Sequence, residues 1–164
     1  MEPGSLSMRS ALHDFTNSPP SRLAKISAIG WNASVYLDTD PILAVLKPDD
    51  WLASSVDLEA VAVPKTSVAT AIEVQYVMES DWEQDQLANA HAAIADQGIE
   101  LVPLTVDAME AAATLRKRYE RLNVFDAVHL GTADTLDEPI ISTDTLYPDI
   151  REIEHIDPRN LGDE

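Results

Sequence analysis

From residue 34 onward, apolar positions follow two alternating rhythms. Val35-Tyr36-Leu37 is a short, continuous apolar run of the kind expected of a strand covered on both faces. Asp38 ends the run, and Asp40-Pro41 reads as an N-cap with proline at the first helical position. Val61-Ala62-Val63, ahead of Pro64, is a weaker strand candidate. Between Ser67 and Met78 the residues Val68, Ala71, Ile72, Val74, Val77 and Met78 recur at helical spacing and predict a largely buried helix. Trp82 to Ala95 predicts a second helix, ended near Gly98. Ile99 to Leu104 predicts a strand. Thr105 or Asp107 caps a helix reaching about Arg121, and Asn123 starts another that runs through Ala133. Pro139 to Ser142 and Ile153 to Ile156 complete the set as strands. Such alternation indicates an α/β domain with a mainly parallel sheet. Its functional crevice is expected at the carboxyl ends of the strands, where their order reverses.

Residues 1–33 break this rhythm. They hold Pro3, Gly4, Pro19, Pro20 and several serines without sustained periodicity, and read as a flexible extension. The compact domain is expected over 34–158, with 159–164 as a short tail. At 164 residues the chain has the size of one domain, and 45% hydrophobic residues suffice for a real core. Cysteine is absent, which excludes disulfides, thiolate nucleophiles and zinc–thiolate sites. No apolar run approaches the roughly 20 residues that span a bilayer, and the N-terminus lacks a signal-type apolar stretch. A cytoplasmic protein without a membrane partner is the expectation.

Charge changes this picture. Eleven Lys and Arg stand against 29 Asp and Glu, a net charge of −18. Acids spread along the whole chain, with scarce lysine and 5% aromatics, suit a protein from a salt-rich, halophilic setting. They say less about activity.

Four acids stand at telling places. Asp38 follows the first strand, and Asp144 follows the Ile140-Ile141-Ser142 strand, so parallel neighbours would bring both to one sheet edge. Asp126 lies in the first turn of its helix. Glu73 sits mid-helix among apolar neighbours, so its carboxylate needs a partner. Singly, each has an ordinary role open to it: Asp38 and Asp144 in turns, Asp126 at a helix N-terminus, Glu73 in a salt bridge. Together, clustered carboxylates repel unless protons or a hard cation such as Mg²⁺ or Mn²⁺ relieve them. Asp40 reads as a cap. His129, one turn after Asp126, reads as semi-buried packing rather than a ligand.

The segments VYLDTDPIL (35–43), TSVATAIEVQYVM (66–78), NVFDAVHLGTA (123–133) and IISTDTLY (140–147) resemble, in order and spacing, the four motifs of PIN-domain nucleases. The resemblance covers nearly the whole domain. It implies a three-layer α/β/α fold and cleavage of RNA dependent on Mg²⁺ or Mn²⁺. Asp38, Glu73, Asp126 and Asp144 correspond to the family's four acids, with Asp38 and Asp126 as main metal ligands and the other two completing the shell. Thr39 and Ser142 would hydrogen-bond these carboxylates. The size is similar to that of VapC-type toxins, which implies a cognate antitoxin and a homodimer. The N-terminal extension and the acidity depart from the pattern.

RNA needs a landing place on so acidic a chain. Arg116, Lys117, Arg118 and Arg121 form its one basic cluster, just before Asp126, and suit phosphate contacts. The same cations also suit a helix C-terminus. Tyr119 reads as packing. The rival enzyme is a haloacid-dehalogenase-like phosphatase with Asp38 as nucleophile, which needs a lysine that only Lys65 or Lys117 could supply. A non-catalytic PIN domain that binds RNA or a partner is the other alternative.

Overall fold

Neighbouring residues of the first strand point into different layers, and this sets the architecture. The computed structural model describes residues 34–160 apart from Pro48; the expected extension, 1–33, and the last four residues lie outside the described residues. In β1 (Ser34–Leu37), Tyr36 packs with Leu115, Ala127, Leu130 and Ile140. Val35 and Leu37 face the other way, against Ile42, Val74, Ile94 and Ile141. A sheet buried on both faces therefore lies between two helical layers, which is the expected three-layer α/β/α arrangement.

The remaining strands are β2 (Val63–Ser67), β3 (Glu100–Val102), β4 (Ile140–Ile141) and β5 (His155–Ile156). They pair in the order β3-β2-β1-β4-β5, all parallel. One layer holds α1 (Thr39–Leu46), α2 (Val68–Met78), α3 (Gln84–Ala88) and α4 (Ala90–Asp96). The other holds α5 (Val106–Arg118) and α6 (Val124–Leu136). After β1 the chain steps to β2 and β3 on one side. After α6 it returns to β4 on the other. The order therefore reverses between β1 and β4, and their carboxyl ends open a crevice.

Several boundaries differ from expectation. Asp38, not Asp40, caps α1: its side chain accepts from the Thr39 N–H, so Asp40 lies in the first turn and Pro41 one residue further in. The second strand starts at Val63 and runs through Pro64 to Ser67. Pro64 pairs with Val35 but lies beyond the reach of β3, so it has a neighbour on one side only, where a strand tolerates proline. The helix expected over 82–95 is two short ones. Asn89 joins them, its side chain bonding the Asp85 carbonyl and competing with a continuous helix. In α2 the buried residues are Ala69, Thr70, Ala71, Val74 and Met78, whereas Ile72 and Val77 are exposed. That helix is therefore less buried than its apolar count suggests. α5 stops at Arg118, and α6 continues to Leu136, closed by Asp137 in the left-handed region at φ 54°. Among the described residues no helix is long and apolar enough to cross a membrane.

Candidate active site

Asp38 leaves β1 at the reversal point and is anchored from two sides. One carboxylate oxygen accepts from the Thr39 N–H at 2.8 Å, and the other accepts from the Ser142 hydroxyl at 2.8 Å. The Asp38 N–H bonds the Ile141 carbonyl at 3.0 Å, which ties β1 to the end of β4. Ser142 also accepts from the Asp144 N–H at 3.0 Å, and Asp144 Oδ1 takes the Leu146 N–H at 2.7 Å. A single buried hydroxyl thus sets the spacing between the acids that follow the two strands.

Asp126 arrives from the opposite layer. Asn123 caps α6 by accepting the Asp126 N–H at 3.0 Å, which fixes the backbone of that turn. Burial, and then the neighbouring Asp144 and Asp38, raise the Asp126 carboxyl above its ordinary value. Asp144 and Asp38 therefore both act electrostatically on Asp126. The Tyr147 hydroxyl, overlooked in the sequence, is buried beside them; burial and then the field of Asp38, Asp126 and Asp144 raise its pKa.

Glu73 has a different partner set. Its Oε2 accepts from His129 Nε2 at 2.5 Å and from the Thr39 hydroxyl. Burial works to raise this carboxyl, but the bonds from His129 and Thr39 prevail and hold it below its ordinary value. Burial likewise disfavours a charged His129. The bond to Glu73 and the surrounding Tyr36, Asp38 and Glu73 nevertheless push its pKa up to about 10, so the ring is cationic at neutral pH. His129 is therefore the site's internal counter-ion and not mere packing. The sequence signal for it was a histidine one turn after Asp126; its partner Tyr36 is 93 positions away.

Asp40 is committed elsewhere. Its Oδ2 accepts from the Thr143 N–H at 2.8 Å and from the Thr143 hydroxyl, clamping α1 to the loop after β4. Burial and the nearby Asp38 push its carboxyl up to about 6.

The donor set is oxygen-rich and acidic, which is the chemistry a hard divalent cation prefers. Asp38, Asp126 and Asp144 would hold such an ion, and Glu73 would contribute through the oxygen that His129 and Thr39 leave alone. Among the described residues no three acids or histidines already converge as a finished cage. Burial and then Asp144 and Asp38 raise the Asp126 carboxyl, and a cation would relieve the repulsion from those two neighbours.

The expected basic cluster lies where α5 ends. Arg116, Lys117, Arg118 and Arg121 are all exposed. Arg116 donates to the Leu122 carbonyl at 3.3 Å, and Arg118 pairs with Glu152. Tyr119 packs as expected and donates to Glu152 at 2.8 Å. Of the two lysines a phosphatase could use, Lys117 is exposed near the end of α5 and Lys65 is engaged elsewhere. Lys65 bonds Glu138 at 2.5 Å, and Glu138 also takes the Ser34 hydroxyl at the amino end of β1, far from Asp38.

Residues 35–153 match the family model described as "PIN domain". The chain belongs to the PIN-domain family. A search of curated proteins finds no match. Among solved structures, this PIN domain is similar to a toxin–antitoxin complex from Klebsiella pneumoniae, with 24% identity, a TM-score of 0.59, and 76% of this chain and 97% of that one covered. It is also similar to VapC20 of Mycobacterium tuberculosis, described as a sarcin-ricin loop cleaving toxin, with 18% identity, a TM-score of 0.61, and 73% and 97% covered. A third relative is VapBC2 from Rickettsia felis, bound to a DNA fragment of its promoter, with 14% identity, a TM-score of 0.60, and 76% and 98% covered. At these identities the likeness is one of fold.

Proposed function

We propose that this PIN domain is a metal-dependent endoribonuclease and the toxin of a VapBC-type toxin–antitoxin pair. The observation that supports the proposal is that Asp38 and Asp144 follow neighbouring parallel strands at the β1/β4 reversal, and that after burial these two acids raise the Asp126 carboxyl. A Mg²⁺ or Mn²⁺ ion bound there supplies an activated water and neutralises charge on the scissile phosphate. The protein's own work is to hold the carboxylates in place. Thr39 and Ser142 fix Asp38, and His129 and Thr39 fix Glu73. No side-chain nucleophile is needed. Arg116, Lys117, Arg118 and Arg121 would take phosphates of the RNA strand on the approach to Asp126.

The protein partners are an antitoxin and a second copy of the chain. The toxin–antitoxin complexes among the similar structures support the first. An exposed apolar stripe on α2 supports a protein-covered face: Val68, Ile72 and Tyr76 follow one another at four-residue spacing.

Total RNA incubated with the purified chain in molar KCl tests the proposal. Cleavage is expected with Mn²⁺ or Mg²⁺, to stop with EDTA, and to return on adding excess metal. Cleavage that ignores EDTA contradicts the metal mechanism. Binding of RNA without cleavage in any metal favours a non-catalytic domain.

A further inference from the structure

Beneath the acids lies a chain of buried hydrogen bonds from Ser67 through Tyr36 and His129 to Glu73. Ser67 Oγ accepts from the Ala69 N–H at 3.2 Å and from the Tyr36 hydroxyl at 2.9 Å. A phenol has one proton. With that proton given to Ser67, the Tyr36 oxygen can only accept from its other neighbour, His129 Nδ1 at 2.7 Å. Nδ1 therefore carries a hydrogen. On the far side of the ring, Nε2 lies 2.5 Å from Glu73 Oε2, hydrogen-bonding distance for a proton held between them. Both ends of this buried ring, 1% exposed, are thus spoken for.

The far end of the chain is asymmetric in a useful way. His129 Nε2 and the Thr39 hydroxyl both give their protons to Oε2 of Glu73, and neither engages Oε1. The same Nε2 lies 3.7 Å from Asp38 Oδ1, so one ring stands between two acids that would otherwise repel.

We propose that His129 is a positioning residue of the acidic site: held at Nδ1 by the Tyr36–Ser67 pair, it fixes Glu73 through Oε2 and leaves Oε1 for an ion or its bound water. The ion rests on the function proposed above; the hydrogen-bond chain does not. Partners that orient a ligand in this way typically change metal affinity by about 10- to 100-fold when removed.

The test uses the full chain, titrated with Mn²⁺ alone and followed by the signal of free Mn²⁺, together with proton–nitrogen spectra of the metal-free histidine ring. Wild type is expected to show exchange-protected N–H signals at both nitrogens of His129. Absence of the Nδ1–H signal overturns the chain. His129→Gln should weaken Mn²⁺ binding about 10-fold or more. Tyr36→Phe, which keeps the ring and the fold, should weaken it several-fold. In Glu73→Gln the further change His129→Gln should cost almost nothing, because the role runs through Glu73. A folded Tyr36→Phe or His129→Gln protein with unchanged Mn²⁺ affinity overturns the proposal, as do losses that add fully in the double variant. Wild type that binds no Mn²⁺ at millimolar concentration overturns both this role and the nuclease. Wild type that binds Mn²⁺ yet leaves RNA intact overturns the nuclease alone.

Discussion

Two aspartates only two positions apart, Asp38 and Asp40, have opposite tasks. Asp38 is held at the crevice by Thr39 and Ser142, while Asp40 is spent on Thr143. Which acid would do which could not be read from the local sequence, since the partners of Asp40 lie 102 and 103 residues away. Separations of 93 and 56 residues likewise hid the Tyr36–His129–Glu73 chain. What was legible was the need: Glu73 among apolar neighbours had to have a partner. Asp40 also makes a pH prediction for the metal-free protein. Its folded pKa, about 6, exceeds the unfolded value of about 3.9, so between those limits the folded state binds more protons. Stability from this group is therefore lost as pH rises from about 4 to about 6. Asp40→Asn keeps an oxygen for Thr143 and removes the charge, so it should raise stability by about 1–2 kcal/mol at pH 7. The gain should vanish below pH 4. Melting curves of both proteins from pH 4 to 7 measure this, and an Asn variant that melts below wild type at pH 7 contradicts it.

Among the elements, those with a strong period or a clear cap could be read in the sequence. β1, α2 with its Ser67 cap, α5 with its Thr105 cap and α6 with its Asn123 cap lie within a few residues of expectation. The split at Asn89 was not readable, because good helix formers before it (Glu83 to Ala88) and Ala-rich residues after it continue the helical pattern. Nor was the inner face of α2. The helix is apolar on two sides, and spacing alone does not say which of them meets the sheet. The packing of α5 on α6 depends on small residues that the pattern does not weigh. A Cβ at Gly131 would come within 2.5 Å of the Ala108 carbonyl oxygen and 2.7 Å of the Ala112 nitrogen, both backbone atoms that cannot swing away. Gly131→Ala should therefore force these helices apart and cost roughly 1–3 kcal/mol. Because α6 carries Asp126 and His129, cleavage should fall along with the melting temperature. A variant as stable as wild type contradicts this contact.

Across the whole molecule, charge and topology act separately. Among the described residues, Lys and Arg form ion pairs at Lys47–Asp81, Lys65–Glu138, Arg118–Glu152 and Arg159–Asp157. These are few against a net charge of −18. Self-repulsion on this scale is screened as the Debye length falls from about 10 Å at 0.1 M salt to about 3 Å at 1 M. The melting temperature should rise by roughly 5–10 °C between 0.1 M and 2 M KCl, equivalent to about 2 kcal/mol or more. A flat or falling curve contradicts a salt-adapted surface. Topology supplies the function instead. The strand order β3-β2-β1-β4-β5 brings Asp38 and Asp144 to one edge although 106 positions separate them in number, and α6 delivers Asp126 from the other layer. Parallel neighbours could be foreseen from the alternation of strands and helices; the loop bonds that set the carboxylates could not. The most direct test of this convergence is RNA cleavage by Asp126→Asn with saturating Mn²⁺, in molar KCl, beside wild type of equal fold. Asparagine keeps the shape and removes a ligand charge. A loss of about 100-fold or more, with the circular dichroism spectrum intact, is predicted. Equal cleavage by the two proteins would contradict a site built on these three acids.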